Sequence, residues 1–392
     1  MNMKINLSNL TENRYSRLEL LSWWKQSVMK NSRILVVGCG ALGNEIIKNL
    51  TMLGAGHIYA VDSDKVEKSN LTRSVLLRAE DEGKSKAETV CLRAKEINSE
   101  VELKFYTGNV FELGLGVFRK MDMVICGLDN REARLFVNQS CYKTNKPWID
   151  GAIEGLNGTA RMFLPNDGAC YECTLNDTDY QLLNKRKSCL LLGIEDLQQG
   201  KVPTTPTVSS IIAGIQVQEA VKYLHGIKEN LLIGKGFIYD GMKNSSYLIE
   251  YPIKENCDSH YTIENIEKIN INFNDSAVRD LLTFGKKYFG TGGFDIEFGN
   301  EILYALEDEN GEKIPFTGNL NLLKANDVKR NGKLMKCLSF HKLREGSELM
   351  KEIQDYKLMD LKLPLNDIPV IRKEEKETGI EFNYSECFNT VK

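Results

Sequence analysis

The sequence predicts an α/β protein: a doubly wound, mostly parallel sheet, preceded by a helical arm and followed by an α+β domain. Three observations predict it. Apolar strand-like runs and stretches with helical period alternate from Arg33 to about Leu164. The first strand and helix are joined by Gly38-Cys39-Gly40-Ala41-Leu42-Gly43, a tight glycine turn. After His260 the pattern changes to shorter strand signals separated by polar turns.

Residues 1–32 form the arm, in which RYSRLELLSWWKQSVMKN reads as an amphipathic helix. RILVV is a strand, ALGNEIIKNLTML a helix, and HIYAV a strand ending at Asp62. KSKAETVCLRAKEIN is a helix, VELKFY and DMVIC are strands, REARLFVNQSCYKT is a helix and PWID a strand. Residues 176–203 lack apolar periodicity and read as a long crossing loop. TTPTVSSIIAGIQVQEAVKYLHG is a capped helix with Pro206 tolerated in its first turn. GFIYDG and SYLIEY are strands. KININF, SAVRDLLTFGKKYF and FDIEFG then open the second domain, whose alternation over 268–300 is compatible with a β-grasp. The last few residues read as loose. The expected division is therefore 1–32, 33–260 and 261–392.

The 392 residues allow two or three domains, and a hydrophobic fraction of 42% allows a large core. A net charge of −3 gives no reason to expect nucleic acid or a membrane surface as partner. No apolar run reaches roughly 18 residues and no signal-peptide core follows Met1, so a cytoplasmic protein is expected. In that compartment ten cysteines read as metal ligands, nucleophiles or small buried hydrophobes rather than disulfides.

Gly38, Gly40 and Gly43 let backbone N–H groups approach phosphate oxygens at a helix N-terminus. That signal alone fits NAD, FAD, S-adenosylmethionine and ATP. Asp62 closes the second strand roughly twenty residues later, where an acid binds ribose hydroxyls. The following run, with Asp64, Asn70 and Arg73, and then Lys86, is more polar and cationic than a dehydrogenase needs. It suits a triphosphate. Asp129 ends a strand, and in a parallel sheet that end faces the ligand crevice, so its carboxylate suits Mg²⁺. The alternative for Asp129 is a helix N-cap.

In order, GCGALGNE, DSDKVEKSNLTR, GKSKA and LDNREAR resemble the adenylation domain of ubiquitin-activating enzymes. The bacterial activators of sulfur-carrier proteins, the ThiF–MoeB–HesA family, share it. The resemblance covers about Arg14 to His260. It implies that Asp62 binds ribose, that Asn70, Arg73 and Lys86 hold the triphosphate with Asp64 beside them, and that Asp129 holds Mg²⁺. Asn130 and Arg134 would shape the site. RYSR resembles the family's arginine-finger segment, which implies that Arg17, or else Arg14, reaches the phosphates of a partner subunit in a homodimer. The implied reaction joins the C-terminal carboxylate of a ubiquitin-like protein to AMP. GALGNEIIKNL, DNREARLFVNQSC and VPTTPTVSSIIAGIQVQEAVKYLHG look most like the activating enzymes of bacterial ubiquitin-like conjugation operons linked to phage defence (Bil type).

Cys170 and Cys173 form one C-x-x-C pair, and Cys257 and His260 repeat the spacing with a histidine. Together they suit a tetrahedral Zn²⁺ site. The alternative is a reduced buried pair and a surface histidine. Cys189 lies in the crossing loop just after Lys185, Arg186 and Lys187, charges that favour thiolate. It is the expected thioester-forming nucleophile, which would pass the acyl group to a conjugating enzyme. The alternative packs it under Leu190, Leu191 and Leu192. Three rival functions stand beside this reading. A sulfur-carrier activator stops at the adenylate. An inactive scaffold subunit should have lost Arg73, Lys86 or Asp129. An NAD-dependent oxidoreductase often needs a catalytic histidine, and none of the four, at 57, 225, 260 and 341, sits in an evident loop motif.

Overall fold

The computed structural model describes residues 12–181, 203–290, 292–323, 326–330 and 332–391. Strands β1 (Arg33–Val37), β2 (His57–Asp62), β3 (Glu102–Thr107), β4 (Met123–Cys126) and β5 (Trp148–Glu154) pair in parallel in the order β3-β2-β1-β4-β5. Strands β6 (Asn157–Phe163), β7 (Lys235–Asp240) and β8 (Ser245–Glu250) extend the sheet antiparallel. The helices are α1 (Gln26–Asn31), α2 (Ala41–Met52), α3 (Lys86–Ile97), α4 (Leu115–Arg119), α5 (Arg131–Lys143) and α6 (Pro206–Leu224).

The near-continuous apolar strands are explained by burial on both faces. In β1, Ile34 and Val36 enter a core shared with residues of α2, α3 and α6, while Leu35 and Val37 enter a second core with residues of α4 and α5. The doubly wound α/β class is thus observed. Helix α6 starts as its sequence requires, with the Thr205 side chain accepting from Val208 N–H and Pro206 in the first turn.

The arm differs from its expected long helix, because only Gln26–Asn31 is α-helical. The Asn13 side chain accepts from Tyr15 N–H at 2.7 Å and the Ser16 hydroxyl accepts from Asn13 N–H at 2.7 Å. Such local side-chain bonds offer the backbone an alternative to helix. Trp23 and Trp24 then pack around the His225 ring at the end of α6.

The second domain contains β9 (Ile266–Asn272), α7 (Val278–Phe289), β10 (Asp295–Glu307), β11 (Lys313–Asn319), a short hairpin β12 (Lys329–Arg330) with β13 (Lys333–Leu334), β14 (Lys336–Arg344), α8 (Glu348–Ile353), β15 (Val370–Lys373) and β16 (Lys376–Asn383). Its main sheet runs β11-β10-β15-β16-β9, with β14 also on β10. Strand β9 passes directly into α7 and pairs in parallel with β16, so among the described residues no hairpin precedes the helix as in a β-grasp.

This domain docks through backbone as well as side chains. Leu365 N–H donates to Glu112 O at 2.7 Å, Gly114 N–H to Leu365 O at 2.8 Å, and Gly116 N–H to Asn366 O at 2.9 Å. The chain then returns to the first sheet. Strand β17 (Asn389–Thr390) pairs antiparallel with β3, Phe388 is buried against Tyr59 and Tyr106, and Val391 joins the first core. The segment expected to be loose is therefore strand. It is too short to show a period, and two apolar anchors hold it.

Candidate active site

Strand β1 is flanked by β2 on one side and β4 on the other, so the chain order reverses there and a crevice opens beyond the strand ends. Gly38 and Gly127 lie directly after β1 and β4. Gly38 has φ of 89°, and a Cβ there would stand 2.6 Å from Gly127 O. A Cβ at Gly43 would stand 1.9 Å from Gly38 O. Only glycine permits this closure of strand onto helix. At Gly40 a Cβ would meet nothing, because the residue faces open space at the N-terminus of α2. The cleft has a volume of about 1160 Å³.

Gly38, Gly40, Asp62, Asp64, Asn70, Arg73, Lys86, Asp129, Asn130 and Arg134 all line this one cleft. Gly43 lies behind it, in the helix. Asp62 accepts from Cys39 N–H at 2.6 Å and from Asp64 N–H at 2.7 Å, so the glycine loop and the acid hold each other. Burial pushes the Asp62 carboxyl above its ordinary value, against the two N–H bonds and Lys86, which pull it down. Asn70 is buried, and its side-chain oxygen accepts from Glu67 N–H. Arg73 donates to Ser69 O at 2.6 Å. Lys86 donates to Asp64 Oδ2 at 2.8 Å. Burial lowers the Lys86 ammonium, but Asp64, Asp62 and Glu67 outweigh it and hold it above the usual lysine range.

The two readings of Asp129 separate cleanly. Asn130 is the N-cap of α5, its side chain accepting from Ala133 N–H at 2.7 Å. Asp129 is exposed at the cleft, a carboxylate with the chemistry to bind a hard cation. Arg134 has a different role from the other cations. Its Nε donates to Asp150 Oδ1 at 2.8 Å, and its Nη2 donates to Leu128 O and to Gly151 O. It fixes the turn after β4 rather than offering a free charge.

Cys170, Cys173, Cys257 and His260 converge. Sγ of Cys170 lies 3.7 Å from Sγ of Cys173 and 3.5 Å from Sγ of Cys257, and Cys173 Sγ lies 3.4 Å from His260 Nε2. All four donor atoms fall within 4.8 Å of one another. A zinc tetrahedron with bonds of about 2.3 Å has S···S edges of about 3.8 Å, so the donor set and its size fit. Lys254 N–H donates to Cys173 Sγ, and the Tyr142 ring stacks on His260. Cys39, Cys91, Cys126 and Cys141 are fully buried, as expected.

Cys189, with Lys185, Arg186 and Lys187, lies outside the described residues. Arg17 is exposed on the arm, Arg14 donates to Ile97 O, and neither lines the cleft of its own chain. None of the four histidines lines it either. Sequence reading missed Asp150 and Arg161, two charged residues facing each other across β5 and β6. A carboxylate at the end of the strand PWID was the available signal.

The model of the ThiF family matches residues 12–259. The chain belongs to the ThiF family. Among relatives, the SUMO-activating enzyme subunit uba-2 of Caenorhabditis elegans is 36% identical over 154 residues, 38% of this chain and 26% of that protein. The NEDD8-activating enzyme E1 catalytic subunit of Arabidopsis thaliana is 36% identical over 156 residues, 36% of this chain and 34% of that protein. The adenylyltransferase and sulfurtransferase MOCS3-1 of Zea mays is 31% identical over 233 residues, 58% of this chain and 47% of that protein. The ThiF-family chain thus spans between about a quarter and a half of the length of these relatives. In fold it is similar to E. coli MccB with ATP, at a TM-score of 0.54 and 22% identity over 67% of this chain and 77% of that one. The ThiF-family match spans the glycine loop and most of the Rossmann-like sheet. No helix among the described residues is long and apolar enough to cross a membrane.

Proposed function

We propose that this chain activates the C-terminal carboxylate of a ubiquitin-like protein with ATP, in the cytoplasm. The observation that carries the reading is the gathering of the glycine loop, Asp62, Arg73, Lys86 and Asp129 around one cleft. A carboxylate oxygen bonds to the α-phosphorus, and the bond from that phosphorus to the bridging oxygen breaks, its electron pair leaving on pyrophosphate. Arg73 and Lys86 neutralise the polyphosphate, Asp62 receives the ribose hydroxyls, and the N-terminus of α2 receives a phosphate. Asp129 would hold Mg²⁺, which adds positive charge against the leaving pyrophosphate. The acyl-adenylate then acylates the Cys189 sulfur, AMP leaves, and the thioester passes to a conjugating enzyme.

The test is pyrophosphate exchange into ATP with a small ubiquitin-like protein encoded beside this gene. Exchange should require Mg²⁺ and vanish in Asp129→Ala without loss of fold. Full exchange in that variant removes Asp129 from the reaction. Mixing Arg17→Ala with Asp129→Ala subunits should restore part of the activity if the protein is a homodimer with the finger acting across it. Zinc, at one equivalent per chain on Cys170, Cys173, Cys257 and His260, is checked by metal analysis of protein purified without chelator.

A second reading is adenylation of a sulfur-carrier protein with no thioester on Cys189. It is favoured by the length of the MOCS3-1 match, 58% of this chain against 36% for the NEDD8-activating subunit. A non-reducing gel separates the two. A reductant-sensitive adduct absent in Cys189→Ala supports the first reading, and exchange without any adduct supports the second.

A further inference from the structure

The cleft has a second half that the nucleotide residues do not use. Strand β4 ends at Cys126, level with Asp150 of β5, and Asp150 in turn faces Arg161 of β6. Beyond that level the β5–β6 hairpin projects as a wall, with Ala152, Gly158 and Thr159 on the cleft. Arg161 therefore stands at the base of this wall, at the height where β4 ends.

The charge there does not balance. Asp150 is fully buried and binds two guanidiniums, Arg134 through Oδ1 and Arg161 through Oδ2. One carboxylate against two cations leaves a surplus positive charge in a low-dielectric wall. Arg134 makes three bonds, from Nε and Nη2, to Asp150 and two backbone carbonyls. Arg161 makes two. One Nη donates to Asp150, the other to Thr174 Oγ1 at 3.3 Å, and Nε has no partner. Its side chain is 13% exposed and lines the cleft. Of the other acids on the cleft, Asp64, Glu67, Asp129 and Glu154 are exposed to solvent, Glu132 is half-exposed, Asp62 is held by the Cys39 and Asp64 N–H groups, and Asp179 pairs with Arg131. A buried surplus cation is disfavoured unless an anion meets it.

We propose that Arg161 is the residue that receives the substrate's terminal carboxylate and distinguishes a free C-terminus from a blocked one. The assignment rests on the adenylation reading and adds the group that selects its acyl substrate. A chain laid along the β5–β6 wall reaches Arg161 with its end pointing toward the nucleotide. Because both Nη atoms already carry a bond, Arg161 offers single N–H contacts rather than a two-pronged fork. The second carboxylate oxygen stays free to attack phosphorus.

The experiment titrates full-length protein, loaded with Mg²⁺ and a non-hydrolysable ATP analogue, with acetyl-triglycine as free acid and as amide. Wild type should bind the acid about tenfold more tightly than the amide, the effect of one charge-assisted contact. Arg161→Gln should lose that preference while its affinity for the ATP analogue is unchanged, a split that a merely structural role for Arg161 does not produce. Arg161→Lys keeps the charge and should keep part of the preference, which preserves the test where the Gln variant does not fold. An acid preference intact in Arg161→Gln, or absent in wild type, overturns the role of Arg161. Wild type that binds no nucleotide overturns the adenylation reading itself.

Discussion

Two of the acid–cation sites on the cleft are built on opposite principles. On the nucleotide side, Lys86 meets Asp64, whose side chain is 65% exposed, through one bond. On the β5–β6 side, Arg134 and Arg161 meet Asp150, which is fully buried, through both of its oxygens. The first pair is solvated on its acidic half and opens at little cost, as the proposed binding of a phosphate requires. The second cannot open without stranding charge in the interior. The difference separates exchangeable charge from framework charge, a distinction that residue type alone does not reveal.

Breaking the framework side should have the largest effect. Asp150→Asn leaves two buried guanidiniums against a neutral amide and is expected to destabilise the protein by about 3–5 kcal/mol, read by denaturant unfolding. Lys86→Ala should leave the fold nearly as stable but lower pyrophosphate exchange by about 10²–10³-fold, the usual loss for one charge-stabilising group. Equal damage to stability by both variants would erase the comparison.

Metal removal sharpens it from outside the cleft. The Cys/His cluster ties residues 170–173, just after β6, to 257–260, where the chain leaves for the second domain. Chelation should lower the melting temperature by several degrees, about 2–4 °C for each kcal/mol lost in a domain of this size. The nucleotide affinity of the remaining folded protein should change little.

Smallest is Asp64→Asn, expected to cost about 1 kcal/mol or less because its carboxylate is exposed. Its pH signature is diagnostic. Folding holds the Lys86 ammonium above its ordinary value, so the stabilisation is full below the unfolded lysine value and is lost as pH rises through the folded one. Removing Asp64 should flatten that alkaline limb of the stability curve. An unchanged limb would assign the shift to Asp62 and Glu67 instead.

Much of this was legible in the sequence. The glycine loop, Asp62, Arg73, Lys86 and Asp129 announce themselves because each sits at a strand end or a fixed offset from one, and local pattern determines that placement. The zinc-type cluster was legible through its repeated spacing. The Asp150–Arg134–Arg161 cluster was not, because its members meet across a helix and two strands, and nothing in their spacing marks it. The nearly helix-free arm was missed because Asn13 and Ser16 override a helical period with bonds to the local backbone. Strand β17 was missed because two ladder residues and two apolar anchors carry no periodicity.

That returning strand sets an order of events in synthesis. β3 is made early, yet among the described residues its outer edge is paired by β17 alone, which follows every element of the second domain. Until then a row of backbone donors and acceptors stands open, together with the apolar recess that Phe388 fills. Such an edge is a template for pairing with another chain. A fragment ending at residue 260 would keep it permanently. The first domain, complete by family boundaries, is for that reason unfinished as a folding unit, and its last piece arrives from the far side of its neighbour.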